Sequence, residues 1–368
     1  MTLSSDSFLA KLLLSVIFIF IALLFAEVAT RIYGKIKDID FTLYMQELKN
    51  SNRLPEGTLE KSRQVLATTS DFSVIYKTNS KGLRDKEYSY IKPEDKIRIL
   101  AFGDSYTFGE GVRYGRRFTD IAEDYFSGVE IINFGVPGVG LDNELIDFVK
   151  KGLKYSPDYV IIFINLTTIE RYRTNIIKNG TITLEDIEFR EPVSDASTLF
   201  LSRDDPLFNA DNNRFTKKSY FLSFLNYQIT LMRLKRRLKE QDKAIWGDIR
   251  KSSKTMEDPL AHKNYLNSIH NRAAIIIRKF NEICKENNIK LIIIKIGIGS
   301  DLSYLSNLDN NISYYDLTDG LKNERKKYRL SFKYDGHYNE KTHDYIGRKL
   351  IEILKDKVIS EQKFPFLN

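Results

Sequence analysis

Apolar positions along this chain fall into one unbroken run, then into strand-length and helix-length stretches that alternate. Leu12 to Ala26 (LLLSVIFIFIALLFA) carries no charge over fifteen residues. Extended back to Phe8, the run is interrupted only by Lys11, whose long stem can carry its ammonium to an interface. About 20 apolar residues cross a hydrocarbon core as a helix, so a membrane span is predicted over residues 8–28. A cleaved leader has a shorter apolar region and ends in a small-residue site, and Phe25-Ala26-Glu27-Val28-Ala29 is a poor one. Residues 1–33 are therefore expected to be an uncleaved anchor. Arg31, Lys35 and Lys37 follow the span while Lys11 precedes it, and this count alone puts the folded part in the cytoplasm. Long domains can cross despite local charge, so the opposite placement, outward from a bacterial inner membrane, stays open and is the expected one.

Residues 34–95 read as a connector with a strand, polar and charged over 34–70 with Pro55 and Gly57. Within it Phe72–Lys77 alternates like a strand, and Asn79-Ser80-Lys81-Gly82 marks a turn. From residue 96 the pattern becomes regular. Lys96–Phe102, Val129–Asn133 and Tyr159–Ile164 are apolar runs of strand length, and Arg116–Phe126 and Leu141–Leu153 between them carry helical spacing. Such alternation predicts a parallel sheet with helices on both faces. The pattern breaks at about 170–255, read as a variable insertion. There Ser202–Asn213 is polar, and Ser219–Glu240 is a long helix rich in Arg233, Lys235, Arg236, Arg237 and Lys239. That basic face is either solvated or set against acidic lipid headgroups. Helix Leu266–Asn287, strand Ile289–Ile296, a further strand at Ile312–Tyr315 and an amphipathic helix Asn339–Lys355 complete the α/β domain at 96–358, with 359–368 as a tail.

Composition narrows the classes. Hydrophobic residues make up 42% and charged ones 29% of 368 residues, enough for one ample core. The net charge of +8 is spread along the chain rather than clustered, so no nucleic-acid partner is expected. A single cysteine, Cys284, forbids an intrachain disulfide and reads as a small core residue. Four histidines without ligand spacing suggest neither a metal nor another cofactor.

Chemistry is suggested by where short motifs fall. In open α/β sheets, ligands sit beyond the carboxyl ends of the strands. Gly103-Asp104-Ser105 follows the first strand there, Asn133 to Gly140 the second, and Asn165-Leu166-Thr167-Thr168 the third. Asp335-Gly336-His337 precedes the last helix. A serine needs an imidazole to take its proton, and the imidazole needs a carboxylate to hold its tautomer. One C-terminal loop supplies both.

This set resembles the SGNH, or GDSL, hydrolase superfamily over roughly residues 96–168 and 311–355. Gly103-Asp104-Ser105-Tyr106-Thr107-Phe108-Gly109 is similar to its first block, Asn133-x-Gly135-x-x-Gly138 to its second, and Asp335-Gly336-His337-Tyr338-Asn339 to its last. The resemblance implies a three-layer α/β/α sandwich with a flavodoxin-like sheet, here behind an N-terminal transmembrane helix. It also implies a serine esterase or O-acyltransferase working on acyl groups of a glycan. Ser105 would be the nucleophile, His337 the base and Asp335 its orienter; Ser105 and Gly138 would offer N–H groups to the oxyanion. The third block departs from the family: its Asn position falls on Thr167, and Asn165 lies two residues early, so either a loop shift brings Asn165 into place, or a Thr hydroxyl substitutes, or the side-chain donor is missing. A degenerate glycan-binding module and a phospholipid-directed lipase are the rival readings.

Bland roles are expected for the remaining polar residues. Asp104 reads as a loop cap, Asn133 as a strand-end turn residue, and His343 as packing near the last helix. His262 and His270 read as surface residues. Arg171, within Glu170-Arg171-Tyr172-Arg173, is expected to form a salt bridge or to bind a substrate anion.

Overall fold

Five short, largely apolar strands pair side by side as a parallel sheet. The structure, a computed structural model, describes residues 5–37, 61–62, 64–68, 71–172, 174–188, 219–225, 228–229, 232, 259–299, 301–333 and 335–359. These residues group into two compact units, one from the described parts of 1–52 and 201–240, the other from those of 53–200 and 241–368.

In the first unit, helix α1 spans Ser5–Lys37. Within its segment Lys11–Lys35 an 18-residue window reaches a mean hydropathy of 2.8, and the segment is long and apolar enough to cross a membrane. Near its end Glu27 receives the start of another helical stretch at 220–225. Its carboxylate accepts from Ser219 Oγ at 2.8 Å and from the Tyr220 and Phe221 amides at 2.9 and 2.8 Å. A carboxylate thus satisfies amides that have no partner within their own helix. The basic residues 233–240 and the polar stretch 202–213 lie outside the described residues.

The second unit opens with an antiparallel pair, β1 (Gln64–Thr68) and β2 (Ser73–Lys77). The first of these falls in a segment read from sequence as a featureless connector. Three adjacent apolar residues, Val65-Leu66-Ala67, show no alternation, so only the pairing with β2 reveals the strand. Then follow β3 (Ile97–Phe102), α2 (Ser105–Phe108), α3 (Phe118–Tyr125), β4 (Val129–Asn133), α4 (Leu141–Lys150), β5 (Tyr159–Ile164), α5 (Leu166–Glu170) and α6 (Leu184–Glu188). Later in the chain come α7 (Pro259–Glu286), β6 (Lys290–Lys295), β7 (Ile312–Asp316), α8 (Thr318–Lys327) and α9 (Glu340–Leu354).

All five strands of the main sheet run parallel, in the order β4-β3-β5-β6-β7. This is the flavodoxin-like order, in which the chain reverses direction across the sheet between β3 and β5. Strand periodicity divides the core in two. Leu100, Phe102, Val160, Ile162, Leu291 and Ile293 pack against Leu145 and Phe148 of α4 and Ile276 and Phe280 of α7. Their sequence neighbours Ile99, Ala101, Ile161, Phe163 and Ile292 pack on the other face against Phe118 and Ala122 of α3, Leu321 of α8 and Ile346 and Leu350 of α9. The result is a three-layer α/β/α sandwich. Cys284 lies inside this core, and burial pushes its thiol up to about 12.

Behind α2 sits a buried ionic cluster from the former connector. Arg84 donates to the carbonyls of Phe108, Gly109 and Val112 at 2.8, 2.7 and 2.5 Å, and its guanidinium lies over the rings of Tyr76 and Phe108. Arg117 donates to the Arg84 carbonyl and pairs with Asp85 at 3.2 Å and Asp120 at 2.5 Å. Asp85 also accepts from the Asn133 amide at the end of β4, at 2.8 Å. Burial pushes Asp85 up to about 6, against the pull of Arg117.

Truncating Arg84 leaves three carbonyls without a donor in a dry site, which costs about 1–3 kcal/mol for each group left unsatisfied. Arg84→Met is therefore expected to destabilise the second unit by about 3 kcal/mol or more, with Arg84→Lys recovering little because one ammonium cannot span the three acceptors. Thermal unfolding of the full chain in detergent measures both.

Candidate active site

Ser105 starts a four-residue helix one turn beyond the buried end of β3. Gly103 makes the turn possible: a Cβ there would lie 2.1 Å from Thr107 Oγ1 and 3.1 Å from the Phe163 carbonyl. Asp104 caps the helix by accepting from the Tyr106 amide at 3.0 Å, as expected from its position. Ser105 itself is almost fully buried.

The C-terminal loop reaches the same point from far along the chain. A backbone bridge between Ser331 and Tyr338 and the 3.0 Å bond from the Phe332 amide to the His337 carbonyl close it into a tight turn. Asp335 Oδ1 accepts from the His337 amide at 2.8 Å and lies 2.5 Å from Nδ1 of the same residue. One carboxylate thereby holds both the turn and the ring. With Nδ1–H directed to Asp335, Nε2 faces the Ser105 hydroxyl at 2.7 Å. Ser105, His337 and Asp335, 232 residues apart at the extremes named by the Ser–His bond, are brought together.

The second segment packs directly on the first. A Cβ on Gly135 would sit 2.2 Å from the Phe108 amide nitrogen, so only glycine lets the two turns touch. Asn133 accepts from the Gly135 amide and donates to the Thr107 carbonyl and Thr119 Oγ1 at 2.8, 2.7 and 2.9 Å. It is a strand-end turn residue that also ties α2 to α3. Gly138 sits in the following turn with φ +76°.

Asn165 caps the short helix α5. Its Oδ1 accepts from the Thr168 amide at 3.0 Å and Thr167 Oγ1 at 2.5 Å, and its Nδ2 donates to Asp104 Oδ2 at 3.3 Å. Asp104 also receives Thr168 Oγ1 at 3.3 Å and Arg171 Nη1 at 3.1 Å. The third segment is thus laced to the carboxylate beside Ser105, and Arg171 forms the expected salt bridge. Arg173 lies outside the described residues.

One residue was not anticipated. Glu110 is 3% exposed, its amide donates to the Ser105 carbonyl at 3.0 Å, and its Oε2 lies 3.5 Å from His337 Nε2. That oxygen is buried and has no hydrogen-bond partner among the described residues. Burial pushes the Glu110 carboxyl up to about 7, partly countered by His337. Burial also opposes charge on His337, but Glu110 and then Asp335 outweigh it and lift the imidazolium to about 9. Asp335 would be raised by burial, yet its hydrogen bond and charge contact with His337 hold it below the usual carboxylate range. Glu110, Asp335 and His337 offer donor atoms within 4.8 Å of one another. His337 could join a cation site there only by releasing Ser105 or Asp335.

The other histidines stand apart from this cluster. His343 is buried, stacked on Phe118, and accepts from the Phe118 amide at 3.2 Å; burial pushes its pKa down to about 3. His270 is half-buried against Tyr304 rather than on the surface, because α7 turns its inner face to the loop after β6. The side chain of His262 lies outside the described residues.

No family model matches the sequence, and no curated protein matches it. Solved structures do. A member of the lipolytic G-D-S-L family from Veillonella parvula DSM 2008 is 13% identical, with 70% of this chain and 98% of that one covered and a TM-score of 0.37. The lipase/acylhydrolase from Enterococcus faecalis is 14% identical, covering 71% and 96%, with a TM-score of 0.31. A two-domain esterase active on acetylated mannans is 9% identical over 74% of this chain and 52% of its own, with a TM-score of 0.37. Likenesses this distant leave the chemistry to rest on the site itself.

The electrostatics fix a sign. His337 can accept a proton from Ser105 only when neutral, so its base form grows as pH rises towards about 9. Any activity that uses it should therefore climb from pH 6 to 9, and Glu110→Gln, which removes the neighbouring negative charge, should move that limb to lower pH by about one unit. The pH profile of kcat/KM on an aryl acetate measures the shift.

Proposed function

We infer that this chain is a serine ester hydrolase of the SGNH (GDSL) type, anchored in a bilayer by residues 8–28. The observation that carries the inference is the pair of hydrogen bonds running from Ser105 Oγ through both ring nitrogens of His337 to Asp335. In the proposed reaction Ser105 Oγ bonds to an ester carbonyl carbon as its proton passes to His337 Nε2. Asp335 steadies the imidazolium that forms. The backbone N–H groups of Ser105 and Gly138, with the second Nδ2 hydrogen of Asn165, take the oxyanion. As the tetrahedral adduct collapses, the C–O bond to the alcohol breaks and His337 returns the proton to the departing oxygen. The acyl group stays on Ser105 until water, activated by the same imidazole, releases it as acid. A sugar hydroxyl in place of that water would make the product a new ester, so hydrolysis and O-acyl transfer share every residue. The ester is assigned to an acylated glycan.

The full chain should react covalently with a fluorophosphonate probe at Ser105. Ser105→Ala should abolish labelling, and His337→Ala should lower kcat on an aryl acetate by about 1000-fold or more. Equal labelling of wild type and Ser105→Ala would overturn the nucleophile assignment, and glycan binding without aryl acetate turnover, unchanged in His337→Ala, would indicate a binding module. Removal of residues 1–37 should shift the protein from the carbonate-washed membrane pellet to the supernatant.

A further inference from the structure

The cavity beside Ser105 and His337 contains a cation that ester cleavage does not use. It measures about 590 Å³, and its wall includes Tyr106 and Gly336, the chain neighbours of Ser105 and His337. Arg325 at the end of α8, with Tyr328 and Arg329 just beyond it, lines the same cavity. Neighbouring cations on α8 are engaged: Lys322 pairs with Asp319, Lys327 with Glu324, and Lys326 donates to Asn323. Arg329 donates to the Lys333 carbonyl at 2.8 Å. The Arg325 guanidinium alone in this group has no ion-pair or hydrogen-bond partner among the described residues.

The phenols of the cavity are differently placed. Tyr106, Tyr328 and Tyr338 direct their hydroxyls to the carbonyls of Gly336, Lys341 and Ile296, at 3.2, 3.2 and 2.6 Å. Their polar tips are occupied while their apolar ring bodies contribute to the wall. Rings of this kind suit the C–H faces of a sugar, and an unpaired guanidinium matches the planar or trigonal oxygens of a carboxylate or phosphate.

We propose that this cavity is an anion subsite, taking a glycan that carries a carboxylate or phosphate group on Arg325 while its ester faces Ser105. The orientation of the ester rests on the serine-hydrolase reading given above; the anion contact does not. Arg329 adds a second positive charge to the same wall.

Full-length protein in detergent micelles is assayed on acetylated polyuronate, acetylated phosphomannan and neutral acetylated mannan. Wild type should favour one or both anionic esters over the neutral one by about tenfold or more in kcat/KM, the scale of a charge-assisted hydrogen bond. The preferred anionic substrate tells carboxylate from phosphate. Arg325→Ala should erase the preference through KM, and Arg325→Lys should restore part of it. Lys326→Ala, the same charge change one residue away, should keep it. Lack of preference in wild type, or an undiminished preference in Arg325→Ala, overturns the proposal. So does Arg325-dependent cleavage of phosphatidylglycerol vesicles without any glycan preference, since a lipid headgroup would then be the anion.

Should Ser105 prove not to be a nucleophile, calorimetric titration decides the subsite separately. A deacetylated oligouronate and its phosphorylated mannan counterpart are titrated into Ser105→Ala protein. Adding Arg325→Ala should weaken Kd for the bound anion by about tenfold. An unchanged Kd, or no binding of either, overturns the subsite.

Discussion

Arg84 directs its guanidinium to main-chain carbonyls at the end of the segment that carries Ser105. That contact is the constraint on which the active-site geometry leans. A helix of four residues cannot hold its own shape by internal hydrogen bonds, since nearly all of its carbonyls lack partners within it. A fixed donor array supplies them from outside. Arg117 then ties the Arg84 carbonyl to Asp85 and Asp120, and Asp85 reaches the end of β4. Buried charges are costly unless each is paired and hydrogen-bonded, and replacing such clusters with apolar groups can be neutral for stability. Their use here is positional: one cluster links the turn after β3, helix α3 and the turn after β4.

Given that clamp, the parallel sheet supplies the rest of the placement. Every strand points its carboxyl end to the same rim, so loops distant in sequence meet there. The loop before α9 needs only a short turn to present an imidazole and a carboxylate together. Asp335 acts on both the backbone and the ring of His337, which makes the orientation of the imidazole a property of the turn itself. Glu110 complicates this picture. An ionised carboxylate close to Nε2 favours the charged ring, which is the wrong form for a base but the right one for donating a proton to a departing alkoxide.

Much of this arrangement is legible in the sequence. The strands β3, β5 and β6 announce themselves as apolar runs because both of their faces are covered, and the helices between them keep a 3.6-residue spacing. Ser105, His337 and Asp335 are recognisable because their motifs fall at strand ends and before a helix. What escapes notice are residues whose meaning depends on partners remote in the chain. Arg84 and Asp85 sit in a polar stretch that looks like a connector, and nothing nearby reveals that they are buried. Glu110 lies five residues after Ser105, yet only the fold of that loop turns it inward to His337. Asn165 and Thr167 look like competitors for one role, but the structure links them to each other and to Asp104.

The lone thiol of the chain is sealed in the core at Cys284, with its ionisation suppressed by burial. Thiolate, not thiol, reacts with maleimides and alkylating reagents. The native chain is therefore chemically silent toward such dyes while folded. A cysteine introduced on the exposed rim of the α8 turn would be its single attachment point, so a fluorophore or spin label could report on that rim without first stripping the protein of native cysteine.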